Sequence, residues 1–274
     1  MKFIVFILFF TIIISCNKQP TSNSTDNNIT FFETKSDFDT VNLIKKEKQI
    51  LEFHTAILKA AENDRNDSLI VINSKRFTDS MSDLIKNNPN TFNYSFELLQ
   101  KENAINLISS ADDNLRVYSW NNHLGGTMRF FNQIFQFKSN EQTTVNVHLA
   151  EKDPQGFFSK IYEVQNNKKE TFYLVISNSI LSSKYSVQHI NAYKIDTGKL
   201  NKIQVFKTKT NTLDQISVEY DFFSVVDRPE RPVEVITLEN NTLKIALVDD
   251  KQNVTSKNLI YEWDGEYFVY KGVR

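Results

Sequence analysis

All six glycines of this 274-residue chain lie at or beyond Gly125. Glycine is the commonest helix breaker after proline, so the long stretch before it carries few obstacles to helix formation. Residues 36–104 are accordingly read as mainly helical. Val41, Ile44, Ile50, Phe53, Ile57 and Ala61 recur at helical spacing, after Ser36 or Asp37 as a candidate N-cap. A second helix is expected over 68–86, with Ile70, Phe77, Met81 and Leu84 on one face and Asn87-Asn88-Pro89-Asn90 as its stop. A short third helix is expected over 96–101.

From Ile105 the texture changes to short apolar runs bounded by Asp, Asn and Gly. Residues 105–109 and 115–120 read as a hairpin around Ala111-Asp112-Asp113-Asn114. Further strands are expected at 128–137, 144–149, 158–164, 171–177 and 185–195. Six more follow, at 200–206, 216–222, 233–238, 243–248, 259–263 and 267–270. The connections are short, which favours antiparallel pairing over crossover helices. The expected class is α+β: N-terminal helices, then a C-terminal antiparallel β-meander domain over 105–274.

A Tyr-x-apolar pattern followed by a polar residue recurs at Tyr118, Tyr162, Tyr193 and Tyr261. It raises the expectation of blade-like units, as in a small or incomplete β-propeller, whose repeats run to about 40–45 residues. The uneven steps and scarce glycine weigh against a regular propeller.

At the N-terminus, Met1-Lys2 precede an apolar run over 3–14, then Ser15 and Cys16, the only cysteine. The run is shorter than the roughly 20 residues a spanning helix needs and fits a secretory leader. With Ile13-Ile14-Ser15 leading into Cys16, the segment resembles the lipobox of bacterial lipoproteins. The resemblance implies a signal peptide over 1–15, a lipidated Cys16 and a tether over 16–35. It implies membrane attachment through the N-terminal lipid. Asn17, in place of an aspartate, favours the outer membrane, and the lack of an acidic cluster after Cys16 favours its periplasmic face.

Phe92-Asn-Tyr-Ser-Phe96, the segment 108–120 and Gly125-Gly-Thr-Met-Arg129 are similar to secreted or lipid-anchored proteins of Bacteroidetes. That resemblance, over about 92 to the C-terminus, implies location and brings no activity.

Several function classes are disfavoured. A lipidated Cys16 leaves no thiol for a disulfide, a thiolate metal site or a nucleophile. Formal net charge is −1 with no long basic run, so nucleic acid is not an expected partner. His54, His123, His148 and His189 show no paired metal-ligand spacing, and no metal or cofactor is expected. Asp112-Asp113 and Asp249-Asp250 read as turn residues; they would serve a glycosidase only if the fold brought them about 5–10 Å apart.

The best local candidate is the segment 118–129. It offers Trp120, His123, Gly125, Gly126 and Arg129 as a ligand-binding group, with paired glycines allowing close backbone approach. The expected function is a lipid-anchored envelope binding or accessory protein without catalytic activity, meeting an envelope protein or a glycan. A hydrolase acting on the envelope or on polysaccharide, or a periplasmic enzyme inhibitor, stays open as the alternative.

Overall fold

A computed structural model describes residues 35–62, 64–139, 142–150, 153–229 and 234–274. The expected leader, Cys16 and nearly all of the tether lie outside them, as does residue 233, the first of the strand expected over 233–238. Among the described residues the fold is mostly β with an N-terminal helical part: four helices and fifteen strands in three sheets. No described helix is long and apolar enough to cross a membrane.

Helices α1 (Lys35–Ala61) and α2 (Asp67–Asn87) pair as a hairpin. Asn66 caps α2 by accepting the Leu69 N–H at 3.1 Å. The buried face of α1 differs from the expected stripe. Val41 is 59% exposed, and Ile44 and Ala61 are also exposed. The buried row is Leu43, Glu47, Ile50, His54 and Ile57. Two polar residues occupy inward positions, so apolar spacing alone mixed buried and exposed positions. Ser36 and Asp37 lie inside α1 and not at its cap.

Glu47 is only 1% exposed, and its carboxyl accepts the Tyr94 hydroxyl at 2.5 Å and the Leu99 N–H at 3.0 Å. It thereby holds the 3₁₀ turn Pro89–Phe92 and α3 (Glu97–Lys101) against α1. Buried Arg116 grips the same loop from the sheet side, donating to the carbonyls of Phe92 and Tyr94. A helix start without a side-chain cap, behind Phe96 in the left-handed region at φ 52°, is fixed this way.

The first sheet is an antiparallel meander of β1 (Asn106–Ser109), β2 (Leu115–Asn121), β3 (Phe131–Ser139) and β4 (Gln142–His148). The second holds β5 (Phe157–Gln165), β6 (Thr171–Ile180), β7 (Tyr185–Asp196) and β8 (Lys199–Lys202). The chain then leaves it. β9 (Phe206–Lys207) and β10 (Thr212–Leu213) join the third sheet, where β9 runs parallel to the last strand. β11 (Gln215–Asp221) returns to pair with β7, and the short α4 (Phe223–Val226) follows. The third sheet is completed by β12 (Ile236–Glu239), β13 (Thr242–Val248), β14 (Val254–Trp263) and β15 (Phe268–Val273). The expected strand over 200–206 is thus two strands on two sheets. Residues 128–130, expected as strand, lie in the loop before β3.

Three apolar clusters stack the layers. Ile50, Ile57, Phe77 and Met81 of the helices pack on Tyr118, Trp120 and Ile134 of the first sheet. Leu115, Val117, Phe135 and Phe137 pack across to Phe158, Tyr173 and Val175 of the second. Phe172, Leu174, Ile176, Ile190 and Ala192 on the opposite face of the second sheet meet Leu243, Ile245, Tyr261 and Phe268 of the third. Both faces of the first two sheets are therefore covered, and side chains alternate between neighbouring layers except at the register shift between Phe158 and Lys160 of β5. The four Tyr-x-apolar motifs mark no common unit. Tyr118 and Tyr261 lie on β2 and β14, whereas Tyr162 and Tyr193 share the second sheet and face opposite layers. The pattern is a way for half-buried strands to end.

Candidate functional site

The end of β2 and the loop after it carry the residues that the sequence offered. Trp120 is 2% exposed, its ring centroid 5.9 Å from that of Phe77. Its Nε1 donates to the Thr78 hydroxyl at 3.3 Å. The indole thus belongs to the helix–sheet core and sits behind the loop. His123 takes φ 59° and donates its N–H to the Asn121 side chain at 2.9 Å. Its ring lies 5.8 Å from that of His54. Burial, then the nearby charges of His54, Arg129 and Arg65, push its imidazole down to about 4.

Gly125 has no room for a side chain, since a Cβ would lie 2.1 Å from the Met128 carbonyl oxygen. Gly126 faces open space. The Arg129 backbone N–H donates to the Ile180 carbonyl at 3.0 Å, stitching the loop to the second sheet, while the residue as a whole is exposed. His123, Gly125 and Gly126 do share a shallow hollow with Arg65, Asp67 and Val71. Its charged groups satisfy each other, with Arg65 on Asp67 at 2.6 Å.

The paired acids are far more ordinary. Asp112 closes the β1–β2 turn. Burial would raise its carboxyl, but hydrogen bonds from Ser110, Tyr173 and Asn114 hold it below the usual range. Asp249 accepts the backbone N–H groups of Lys251 and Asn253 after β13. Each folds its own turn, one in the first sheet and one in the third.

A richer site lies where the first two sheets meet. Their seam is apolar at one end, through Val117, Phe137, Tyr173 and Val175. At the other end the inward positions turn polar. On β6 the alternation Tyr173, Val175 continues as Ser177, Ser179; on β7 it reads His189, Asn191, Tyr193. Opposite them stand Gln133 and Phe135 of β3 and His148 of β4. The result is a cleft of about 490 Å³, bordered by residues 153–156 and floored by Phe135 and Phe158. That volume lies within the roughly 300–1,000 Å³ usual for small-molecule sites.

Some of its polar groups are committed. The Gln133 amide donates to the Gly156 carbonyl at 2.6 Å. Gly156 must be a glycine here, because a Cβ would lie 2.8 Å from the Asn178 backbone. The His189 ring is fixed on both sides. Lys202 Nζ, a pure donor, lies 3.4 Å from Gln215 Oε1, which turns the Gln215 NH₂ toward Ser217 at 2.9 Å and His189 Nδ1 at 3.2 Å. Nδ1 also takes the Ser217 hydroxyl at 2.8 Å. Nδ1 is therefore an acceptor, and the ring proton sits on Nε2, 3.4 Å from the Ser179 hydroxyl. Burial lowers the proton affinity of both His189 and His148, with Lys202 reinforcing the effect on His189.

Other groups are uncommitted. Asn191 is 7% exposed and Ser177 6%, yet among the described residues neither side chain has a hydrogen-bond partner. Their remaining exposure opens into the cleft. The Tyr193 phenol, pushed up to about 12 by burial and then by Asp214, is likewise unpaired. The polar atoms of Asn191 and Ser177 are not sealed from solvent, so water or a ligand in the cleft completes their hydrogen bonding.

These residues escaped the sequence reading. The signal available was a row of polar residues at inward positions, Ser177-x-Ser179 and His189-x-Asn191, in strands otherwise apolar on that face. Among the described residues no group of three or more histidine or acidic side chains is placed to hold a metal ion. Comparison with family models, with curated proteins and with solved structures finds no match. Function is thus read from the fold and the chemistry of the cleft.

Proposed function

We propose that this chain is a non-catalytic ligand-binding protein held at the cell envelope through a lipidated Cys16, and that its ligand occupies the cleft between the first two sheets. The observation that carries the reading is the Asn191 amide, which lines a concave site and, among the described residues, has no side-chain hydrogen-bond partner. Its polar atoms still meet the solvent of the cleft, so a ligand that pairs with them exchanges water for a directed hydrogen bond, worth about 0.5–1.5 kcal/mol net.

The cleft does hold a serine beside a histidine, which is what favours a hydrolase. The polarity opposes it. A general base must present a lone pair to the nucleophile, and His189 presents an N–H to Ser179 because Gln215 occupies its other nitrogen. Among the described residues no acid is bonded to the ring to stabilise an imidazolium. We read the three sheets as an open, blade-like stack, an incomplete propeller whose first face is covered by helices.

The test is a thermal-shift and NMR screen of the mature protein against envelope extracts, fractionated by size and charge. A ligand that raises the midpoint, shifts the cleft resonances and is recovered chemically intact supports the reading. Recovery of a cleaved ligand overturns it in favour of the hydrolase. For the tether, Cys16→Ser is expected to move the protein from the membrane fraction to the soluble fraction; retention on the membrane would refute lipidation.

A further inference from the structure

We propose that the cleft between the first two sheets recognises a neutral, hydroxyl-rich ligand, a short saccharide, through Asn191, Ser177 and Tyr193. This rests on the binding reading and names its ligand class.

The charge pattern comes first. Asp153 and Lys202, the only charged side chains that border the cleft among the described residues, both belong to exposed residues at its rim. The interior is built from amides, hydroxyls and aromatic rings. His148 and His189 join it as neutral imidazoles, since burial disfavours their charged forms. A buried anion or cation would need a compensating charge to offset its desolvation, and among the described residues the interior offers none. A neutral ligand meets no such penalty.

The free groups come second. An anion calls for donors alone and a cation for acceptors alone. Asn191 supplies an NH₂ and a carbonyl oxygen; Ser177 and Tyr193 each supply a hydroxyl that both donates and accepts. That mixed set matches sugar hydroxyls, which also donate and accept. The three groups sit on two adjacent strands: in the β6–β7 ladder Ser177 stands opposite His189, Asn191 opposite Val175 and Tyr193 opposite Tyr173, with the Ile176–Ile190 pair between Ser177 and Asn191.

The aromatic surface comes third. Phe135 lies at the centre of a ring cluster, 5.1 Å from Phe158, 5.4 Å from Tyr193 and 5.6 Å from His148. Apolar ring surface beside hydroxyl-pairing groups fits a pyranose, which carries C–H groups on its faces and hydroxyls at its edge. The apolar end of the seam then limits depth, so the site takes one or two sugar units and not a buried chain.

The experiment is ¹H–¹⁵N NMR titration of the full mature chain with four probes: maltose, cellobiose, N,N′-diacetylchitobiose and inorganic phosphate, followed by a neutral-and-charged glycan array. The expected result is that at least one neutral saccharide shifts Ser177, His189, Asn191 and Tyr193 and leaves 65–71 unmoved. Asn191→Leu and Ser177→Val are expected to weaken that binding by at least tenfold while keeping a wild-type spectrum elsewhere. Gly126→Ala, outside the cleft, is expected to leave it unchanged. Binding of phosphate or acidic glycans alone overturns the neutral-ligand proposal and leaves the binding reading intact. Neutral saccharides that shift only the 123–126 hollow overturn the placement. No saccharide binding on the array, with cleft shifts from an extract metabolite, overturns the ligand class alone; no cleft shift from any source overturns both.

Discussion

Thr78 offers the sharpest test of how the helices are fastened to the first sheet. Its hydroxyl accepts the Trp120 Nε1–H at 3.3 Å and the Asn132 Nδ2–H at 2.9 Å. One side chain of α2 thereby serves β2 and β3 together. Thr78→Val keeps the shape and β-branching but removes the acceptor. Two buried donors are stranded. Each costs about 1–3 kcal/mol, with the longer indole bond at the low end, so the gross loss is about 2–4 kcal/mol. A methyl in place of the hydroxyl returns about 0.8 kcal/mol of apolar burial. The net expectation is a destabilisation of about 1.5–3 kcal/mol. Thr78→Ser keeps the acceptor and loses one methyl, at a cost of about 1 kcal/mol. The order is therefore diagnostic: polar pairing predicts Val worse than Ser, and packing alone predicts the reverse. Urea unfolding of both variants, followed by far-UV circular dichroism, measures it, provided the m-value is unchanged. A valine variant within about 0.5 kcal/mol of wild type, or less destabilised than the serine variant, would refute the reasoning.

Other predictions come from the same contacts. The His123 imidazole is pushed down to about 4, from the 6.5 of an unperturbed histidine. The folded state therefore binds the proton more weakly than the unfolded state, and the stability it holds above pH 6.5 falls as pH drops toward 4. The full shift would be worth about 3 kcal/mol, and partial solvent screening reduces the expected loss to about 2 kcal/mol. His123→Asn, which tolerates the positive φ, should flatten that part of the stability–pH curve; an unchanged slope between pH 4 and 6.5 would count against the buried neutral ring. Gly125→Ala should cost about 2 kcal/mol in thermal or urea melts because its Cβ meets a backbone oxygen, whereas Gly126→Ala should stay within about 0.5 kcal/mol. Gln215→Leu should release the His189 tautomer, read as a change in its ring ¹⁵N shifts; identical shifts would show that Ser217 alone sets the proton.

The β framework was legible because its strands obey a period of two and its turns carry Asp, Asn and Gly. The β1–β2 hairpin, with Asn106 opposite Ser119 and Ser109 opposite Arg116, stands within a residue of where the pattern put it. What escaped has local causes. β9 and β10 are two residues each, too short to show any period, and their place in the third sheet depends on β15, some sixty residues away. Glu47 and His54 broke the apolar stripe of α1, so the expected stripe kept Ile50 and Ile57 of the buried row but took in the exposed Val41, Ile44 and Ala61. The sequence cannot show that Tyr94 and the Leu99 N–H wait to pair with Glu47, and without them a glutamate reads as solvent-facing.

The same limit explains the cleft. A reading that seeks function in dense local motifs is drawn to the 118–129 loop, where Trp, His, Arg and two glycines crowd together. There the fold spends the Trp on the core and Gly125 on a tight backbone approach. The cleft is assembled from β3, β4, β6, β7 and β11, and no two of its interior polar strand segments are adjacent in a motif-like way. Its trace in the sequence is a failure of pattern: inward positions that should be apolar, at 133, 177, 179, 189 and 191, are not. A sheet buried on both faces has little reason to carry polar residues there unless they pair with one another or with something else. Gln133 and His189 have found partners, and Ser179 lies at the limit of reach from His189. Among the described residues Asn191 and Ser177 have not, and these side chains, open to the cleft, mark the seam between the sheets more than any single reactive residue does.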